Sequence, residues 1–333
     1  ESIKRNNPYQ SFTRNDLSIL LNYSLFWTDK ALPHLIKVKR YSSFIGLPKY
    51  SKYVIERTKK IDNLENLYSH KIDGQEIIGF GRTTKTDRRD NRQSYSYSTW
   101  AKFAAATDKV RNGIFILVAL ITGLRRSELA KLKFGDFYKI ENGECFVDIS
   151  RFKTSNDPNY FGESDYIPIP DYIYDSVQKL NSLKLYLGNV RTGAIFQSSK
   201  SRKETKEVNS QCIKLIASEL SDECRLDGLH THRFRKTIAE ILIGHDETNI
   251  DIIRELFGHK SYAMTLRYIA RNPYFLRTIS EMISKHYTSE FEIVLKAITS
   301  GHYSGHAAER IAKQIKNRPS SFKGSQLKIT VFN

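Results

Sequence analysis

Four short stretches carry residues whose types and spacing suit work on an anion. In residues 121–137, ITGLRRSELAKLKFGDF, Gly123 permits a tight turn before a helix. Arg125 would project from that turn, close to backbone N–H groups that also favour an anion. Lys153 falls between two expected strands, where a long flexible cation can be delivered into a cleft. In HRFRKTIA, residues 232–239, His232 and Arg235 stand three apart and share one helical face. In LFGHKSYAMTLRYI, residues 256–269, His259 precedes Tyr268 by nine positions. Each residue alone has an ordinary reading. Arg125 and Arg126 suit surface pairing with Glu128, His232 suits a hydrogen-bonded helix start, and Tyr268 is one of 19 tyrosines, most of them expected to be packed with a wet hydroxyl. Their order along the chain is the informative feature.

That order resembles the tyrosine recombinase (phage integrase) family. The family's T-G-L-R-x-S-E-L motif is matched by Thr122 to Leu129, and its hairpin lysine by Lys153-Thr154 ahead of the strand YIPIP. The H-x-x-R-[HRK]-T motif is matched by His232 to Thr237. The L-G-H-x-S motif is matched by Phe257 to Ser261, with Phe in place of Leu, and Tyr268 follows at the family's interval. The match runs from about residue 100 to 270. His230 with Arg233 is a competing register; the His232 register alone puts Lys236, Thr237, Ile238 and Ala239 onto the pattern.

The resemblance implies a site-specific recombinase or integrase of a mobile genetic element, working through a 3′-phosphotyrosyl intermediate. Tyr268 would be the nucleophile, although a phenol with a reference pKa near ~10 is mostly protonated at neutral pH. Arg125 and Arg235 would bind the non-bridging phosphate oxygens, and His259 would add a hydrogen bond. His232 would accept the phenolic proton, and Lys153 would protonate the departing 5′-oxygen. Glu128 would orient the helix that follows Arg125. On one straight helix, nine positions would turn His259 and Tyr268 to opposite sides. Gly258 and Ser261 are well suited to end one helix and cap another between them. Tyr262 and Tyr274 are the fallback nucleophiles. The scheme needs neither cofactor nor metal, since the cations are side chains. A zinc set of Cys224, His230, His232 and His245 fits no common spacing.

The elements that must position these residues follow from periodicity and punctuation. Short helices are expected over Asp16–Leu25 and Tyr53–Tyr68, with Gly81–Ser98 as an exposed basic linker. A helix from Thr99 and an apolar one over Ile114–Ile121 come next, then Arg126–Leu132. Glu144–Ser150 and Asp165–Ile169 alternate like strands. Helices resume over Tyr172–Leu185, Ser210–Leu220 and most of 233–300. The fold class is therefore mainly α with a small antiparallel β-sheet (α+β). Three parts are expected: a basic N-terminal DNA-contacting region at 1–94, a catalytic domain at 95–285, and a helical, basic tail at 286–333 that could pass to a neighbouring protomer. The phrase YQSFTRNDLSILL also looks like the usual opening of the family's catalytic domain, and a chain starting at Glu1 rather than Met is expected of a fragment.

The 333 residues hold 53 Lys+Arg against 36 Asp+Glu, a formal charge of +17. Such an excess asks for a polyanion, and nucleic acid supplies counterion-release affinity. Arg82, Lys85, Arg88, Arg89 and Arg92 are the candidate non-catalytic DNA contacts. The apolar run Ile114–Ile121 is far short of the ~20 residues that cross a bilayer. Three scattered cysteines make no disulfide framework, in keeping with a reducing cytoplasm. The expected partners are double-stranded DNA at a specific site, three further copies in a synaptic tetramer, and accessory DNA-bending proteins, with the protein on the nucleoid when bound. A type IB-like topoisomerase and an inactive DNA-binding relative are the alternatives.

Overall fold

The computed structural model describes residues 10–45, 53–55, 59–86, 93–97, 99–141, 143–151, 163–188, 193–201, 208–245 and 250–257. Thr13 starts the first helix, α1 (Arg14–Leu25): its hydroxyl accepts from Asp16 N–H while the Asp16 carboxylate accepts from Thr13 N–H. The run continues through a π-helical turn (Phe26–Ala31) into α2 (Leu32–Phe44). That turn buries Trp27. The two helices pack on α4 (Thr99–Thr122), a single helix where the sequence suggests two successive segments. Gly113 does not break it. A Cβ there would lie 3.3 Å from the Ser24 carbonyl, and Ser24 Oγ donates to Gly113 O at 2.7 Å, so the missing side chain lets α1 approach.

Between α2 and α4 the structure departs from the sequence expectations. Tyr53–Ile55 is a strand, β1, and the helix expected over Tyr53–Tyr68 occupies Lys59–Tyr68 (α3). A small hairpin, β2 (Lys71–Ile72) and β3 (Gln75–Glu76), follows. The expected linker 81–98 contains β4 (Arg82–Thr86) and β5 (Gln93–Tyr97), which form an antiparallel sheet of order β1-β5-β4. The expectation of a linker rested on absent aliphatics. RTTKT is instead rich in β-branched threonine and QSYSY carries tyrosine at every second position, and both residue types favour extended backbone without aliphatics.

After α5 (Arg126–Lys131) a second antiparallel sheet has the order β6 (Phe137–Lys139), β7 (Cys145–Arg151), β8 (Glu163–Ile169). Helices α6 (Asp171–Leu187), α7 (Ser210–Cys224), α8 (Thr231–His245) and α9 (Ile250–Leu256) complete the described elements. The protein is mainly helical with small antiparallel sheets. Two compact units divide it: residues 1–238 with 256–258, and residues 239–255 with 259–333. The described part of the second unit is the remainder of α8 and most of α9; the tail from 286 lies outside the described residues. Among the described residues no helix is long and apolar enough to cross a membrane.

The core of the first unit holds polar groups as well as α4's apolar face. Asp108 accepts from Ser198 Oγ at 2.7 Å and Ser199 N–H at 2.6 Å. Arg111 and Asn112 both reach Glu219 on α7, at 3.1 and 3.0 Å. Lys184 on α6 is buried and donates to Ile195 O at 2.8 Å and to Gln197 O. Together these groups hold the 194–199 loop against α4 and α6. Burial, with Arg111 nearby, lowers the Lys184 pKa from 10.5 to about 7. Between those values the unfolded chain holds the proton and the folded one does not, so this group makes stability rise with pH from about 7 to 10.5. Lys184→Met should flatten the pH dependence of unfolding free energy there by up to ~1.4 kcal/mol per pH unit. Parallel wild-type and variant curves in urea titrations at pH 7, 8 and 9 would contradict this.

Candidate active site

The site is built on the end of α4. Thr122 Oγ donates to Val118 O at 2.6 Å and accepts from Leu124 N–H at 3.3 Å, closing the helix. Gly123 then takes φ +57°, in the left-handed region. Its carbonyl accepts from Arg235 Nη1 at 2.8 Å, and Arg235 Nη2 donates to Phe257 O at 2.9 Å. The Arg235 guanidinium carbon lies 3.7 Å from the centre of the Phe257 ring. That ring occupies the space a side chain at 123 would need: a Cβ there would meet it at 2.5 Å. Arg235 is only 1% exposed. Two carbonyls and an aromatic face therefore compensate a charge removed from water.

The turn delivers Arg125 to the start of α5. The Glu128 carboxylate accepts from Arg125 N–H at 2.7 Å through one oxygen and from Arg125 Nη1 at 2.9 Å through the other. Both side chains are nearly buried, so Arg125 is held rather than loosely paired at the surface. It opens onto a cavity of about 850 Å³ between α5, α7 and the head of α8. Lys214, His230 and His232 line the same cavity, with Ser127, Ser210, Ser218 and Ser221 around them. Burial and the nearby Arg233 and Lys214 charges hold His230 below the usual imidazole range, favouring its neutral ring. Both competing histidines thus reach one cavity, and His232 shares it with Arg125. Among the described residues no three His, Cys, Asp or Glu side chains are grouped to hold a metal ion.

Lys153, His259 and Tyr268, with the fallback Tyr262 and Tyr274, lie outside the described residues. Arg82 and Lys85 lie on β4, and Arg88, Arg89 and Arg92 lie outside. The structure adds an arginine that the motif reading passed over. Arg151, at the end of β7, donates to Asp165 at 2.6 Å and to Leu256 O at 2.9 Å. It ties the strand leading toward Lys153 to the chain leading toward His259. Its signal in the sequence is parity: Cys145, Val147, Ile149 and Arg151 alternate on the buried face.

Residues 97–274, just over half of the chain, match the model of the Phage integrase family. The chain belongs to that family. A probable integrase/recombinase of Acholeplasma phage L2 is 28% identical over 158 residues, 47% of this chain and 48% of that protein. The tyrosine recombinase XerA of Pyrococcus furiosus is 31% identical over 165 residues, 48% of this chain and 50% of that protein. The chain thus spans about half the length of these relatives. A crystal structure of the XerH site-specific recombinase bound to difH substrate aligns with 49% of this chain and 44% of its own, at 17% identity and a TM-score of 0.40. Within the chain, the matched span begins at the end of β5 and contains every residue of the four motif stretches.

The Gly123 geometry separates two effects. Gly228 also has a positive φ, +63°, but nothing lies within 4 Å of an added Cβ. Gly228→Ala should therefore cost about 1 kcal/mol, from backbone strain alone. Gly123→Ala adds displacement of the buried Phe257 ring and should cost about 3 kcal/mol. Urea unfolding of the two variants checks this, and equal losses would contradict it.

Proposed function

We propose that this chain is a site-specific DNA recombinase or integrase of a mobile genetic element, joining itself to DNA through Tyr268. The observation that supports this most directly is the cavity that Arg125 and His232 share, with Arg125 two residues after the glycine whose carbonyl Arg235 holds. It sits in a chain whose remaining motifs follow the family order.

In the reaction the Tyr268 hydroxyl oxygen attacks a backbone phosphorus as His232 accepts its proton. The bond from phosphorus to the 5′-oxygen breaks, and Lys153 protonates that oxygen. The products are a 3′-phosphotyrosyl link and a free 5′-hydroxyl. Attack by this hydroxyl, or by one from a partner strand, reverses the step. Arg125, Arg235 and His259 offset charge on the pentacoordinate phosphate, the task a metal ion performs elsewhere. Arg125 meets the phosphate from the cavity wall, and Arg235 adds its charge from its buried place at the Gly123 and Phe257 carbonyls. The phosphate bonded to Tyr268 keeps the bond energy, so religation needs no external supply. The 1–94 region and the β4–β5 hairpin with its arginines add DNA contacts. Strand exchange takes place in a tetramer of protomers on two duplexes, with the 286–333 tail passed between neighbours and DNA-bending proteins assisting on the nucleoid.

Covalent trapping tests this. The protein is incubated with fragmented DNA from around its own gene, denatured in detergent, and the attached DNA is sequenced. Wild type and the Tyr262→Phe and Tyr274→Phe variants should retain DNA at a defined site, while Tyr268→Phe should retain none. Arg125→Ala should slow adduct formation at least ~100-fold, with salt-sensitive DNA binding preserved. An adduct surviving Tyr268→Phe overturns the nucleophile. Binding without any adduct points to the inactive relative. Relaxation of any supercoiled plasmid by a monomer points to the topoisomerase.

A further inference from the structure

Arg233 follows His232 directly, and its guanidinium serves two pieces of chain. It donates to Gln10 O at 3.1 Å, to Ser11 O at 3.5 Å and to the Asp16 carboxylate at 3.0 Å. It donates also to Asp227 O at 2.8 Å and Gly228 O at 3.4 Å, in the turn that leads into α8. The Phe12 ring lies against it, 4.2 Å from the guanidinium carbon. The segment 10–16 is therefore a strap across the head of α8. Its grip extends one turn further along the helix. Phe12 N–H donates to Thr237 Oγ at 2.8 Å, and that hydroxyl donates to Arg233 O at 2.8 Å. Phe12 also meets Phe234 edge-on, with ring centres 4.9 Å apart.

The strap acts where a helix is weakest. The first four N–H groups of a helix have no intrahelical acceptor, so a first turn frays unless other groups hold it. His232 is on that turn, exposed at the cavity rim. A general base must stay within hydrogen-bond reach of the proton it takes, so motion of this turn reaches the chemistry directly. Arg233 fixes the turn from the side of the strap, while Phe234 is buried beneath it.

We infer that Arg233 is a positioning residue, which holds His232 in its working place by locking residues 10–16 onto the first turn of α8. This rests on the recombinase reading for what His232 does, and not for where it is held. It also makes the site depend on the stretch that leads into and opens α1, more than two hundred positions before His232 in the chain.

The test uses the full chain with Asp16→Asn, which removes one charged contact of the strap, and Arg233→Gln and Arg233→Lys. Two quantities are read: the ring signals of ¹³C-labelled histidines, with His232 identified by its loss in His232→Gln, and single-turnover adduct formation at saturating amounts of the DNA that wild type traps. Asp16→Asn and Arg233→Gln should shift or double the His232 ring signal. They should slow adduct formation about 10–100-fold, with DNA affinity within about twofold of wild type. Arg233→Lys, which keeps the charge but not the fork, should fall between wild type and Arg233→Gln. An unmoved His232 signal in both Asp16→Asn and Arg233→Gln overturns the inference. So does a moved signal with unchanged adduct rate, which would leave Arg233 a purely structural residue. If wild type itself traps no DNA, the recombinase reading fails, and the ring signal alone decides whether the strap places His232.

Discussion

A guanidinium taken out of water must find acceptors, and Arg235 finds two that no neighbouring residue could supply. The Gly123 carbonyl lies 112 positions away in sequence and the Phe257 carbonyl 22. Left unpaired, such a charge would cost several kcal/mol, so the end of α4 and the chain after α9 are drawn to one point. The Phe257 ring completes the enclosure of the guanidinium and so fills the volume beside Gly123. Glycine is thus required twice at one position, by backbone sign and by space. Arg125 follows Gly123 by two residues and His259 follows Phe257 by two. Two separate motifs are spaced from a single buried contact.

Arg235 is one instance of a broader habit. Lys184 binds Ile195 O and Gln197 O, Arg151 binds Leu256 O, and Arg233 binds Gln10 O, Asp227 O and Gly228 O. Each of these side chains donates to carbonyls in loops or at a helix end, outside any strand ladder. The head of α8 and the chain at 256–257 lack sheet partners, and arginines serve in their place. Part of the basic excess therefore works inside the protein. A net charge of +17 measures the protein's field toward a polyanion, but not how many cations meet one.

The sequence was most legible where function and local geometry coincide. Thr122 to Leu129 encodes a helix end, a left-handed glycine and a helix start with Glu128 at its third position, and each is found within that stretch. The alternation in β7 and β8 is equally local. What escaped was decided at a distance. The strands at 82–86 and 93–97 depend on pairing with each other and with Tyr53–Ile55, and polar, Tyr-rich strands look like linker until the partner is known. Arg233 reads only as the arginine of a competing register, because the contacts that give it its place here, with residues 10, 11 and 16, lie more than two hundred positions away.

This division fits the demands of the proposed reaction, in which a phosphoryl group passes to a tyrosine. That chemistry would use common side chains at ordinary oxidation states, so little would rest on an unusual reagent and much on where the charges are fixed. Fixed charges stabilise a transition state only if they do not reorganise as it forms. Arg125 is held at both its backbone N–H and its guanidinium by one carboxylate, on a turn anchored through a buried cation. His232 is exposed in the first turn of α8, and the strap across Arg233 holds that turn. A site assembled from the ends of elements needs its rigidity from side chains that bond across those ends. In this chain the arginines next to the motif residues supply it.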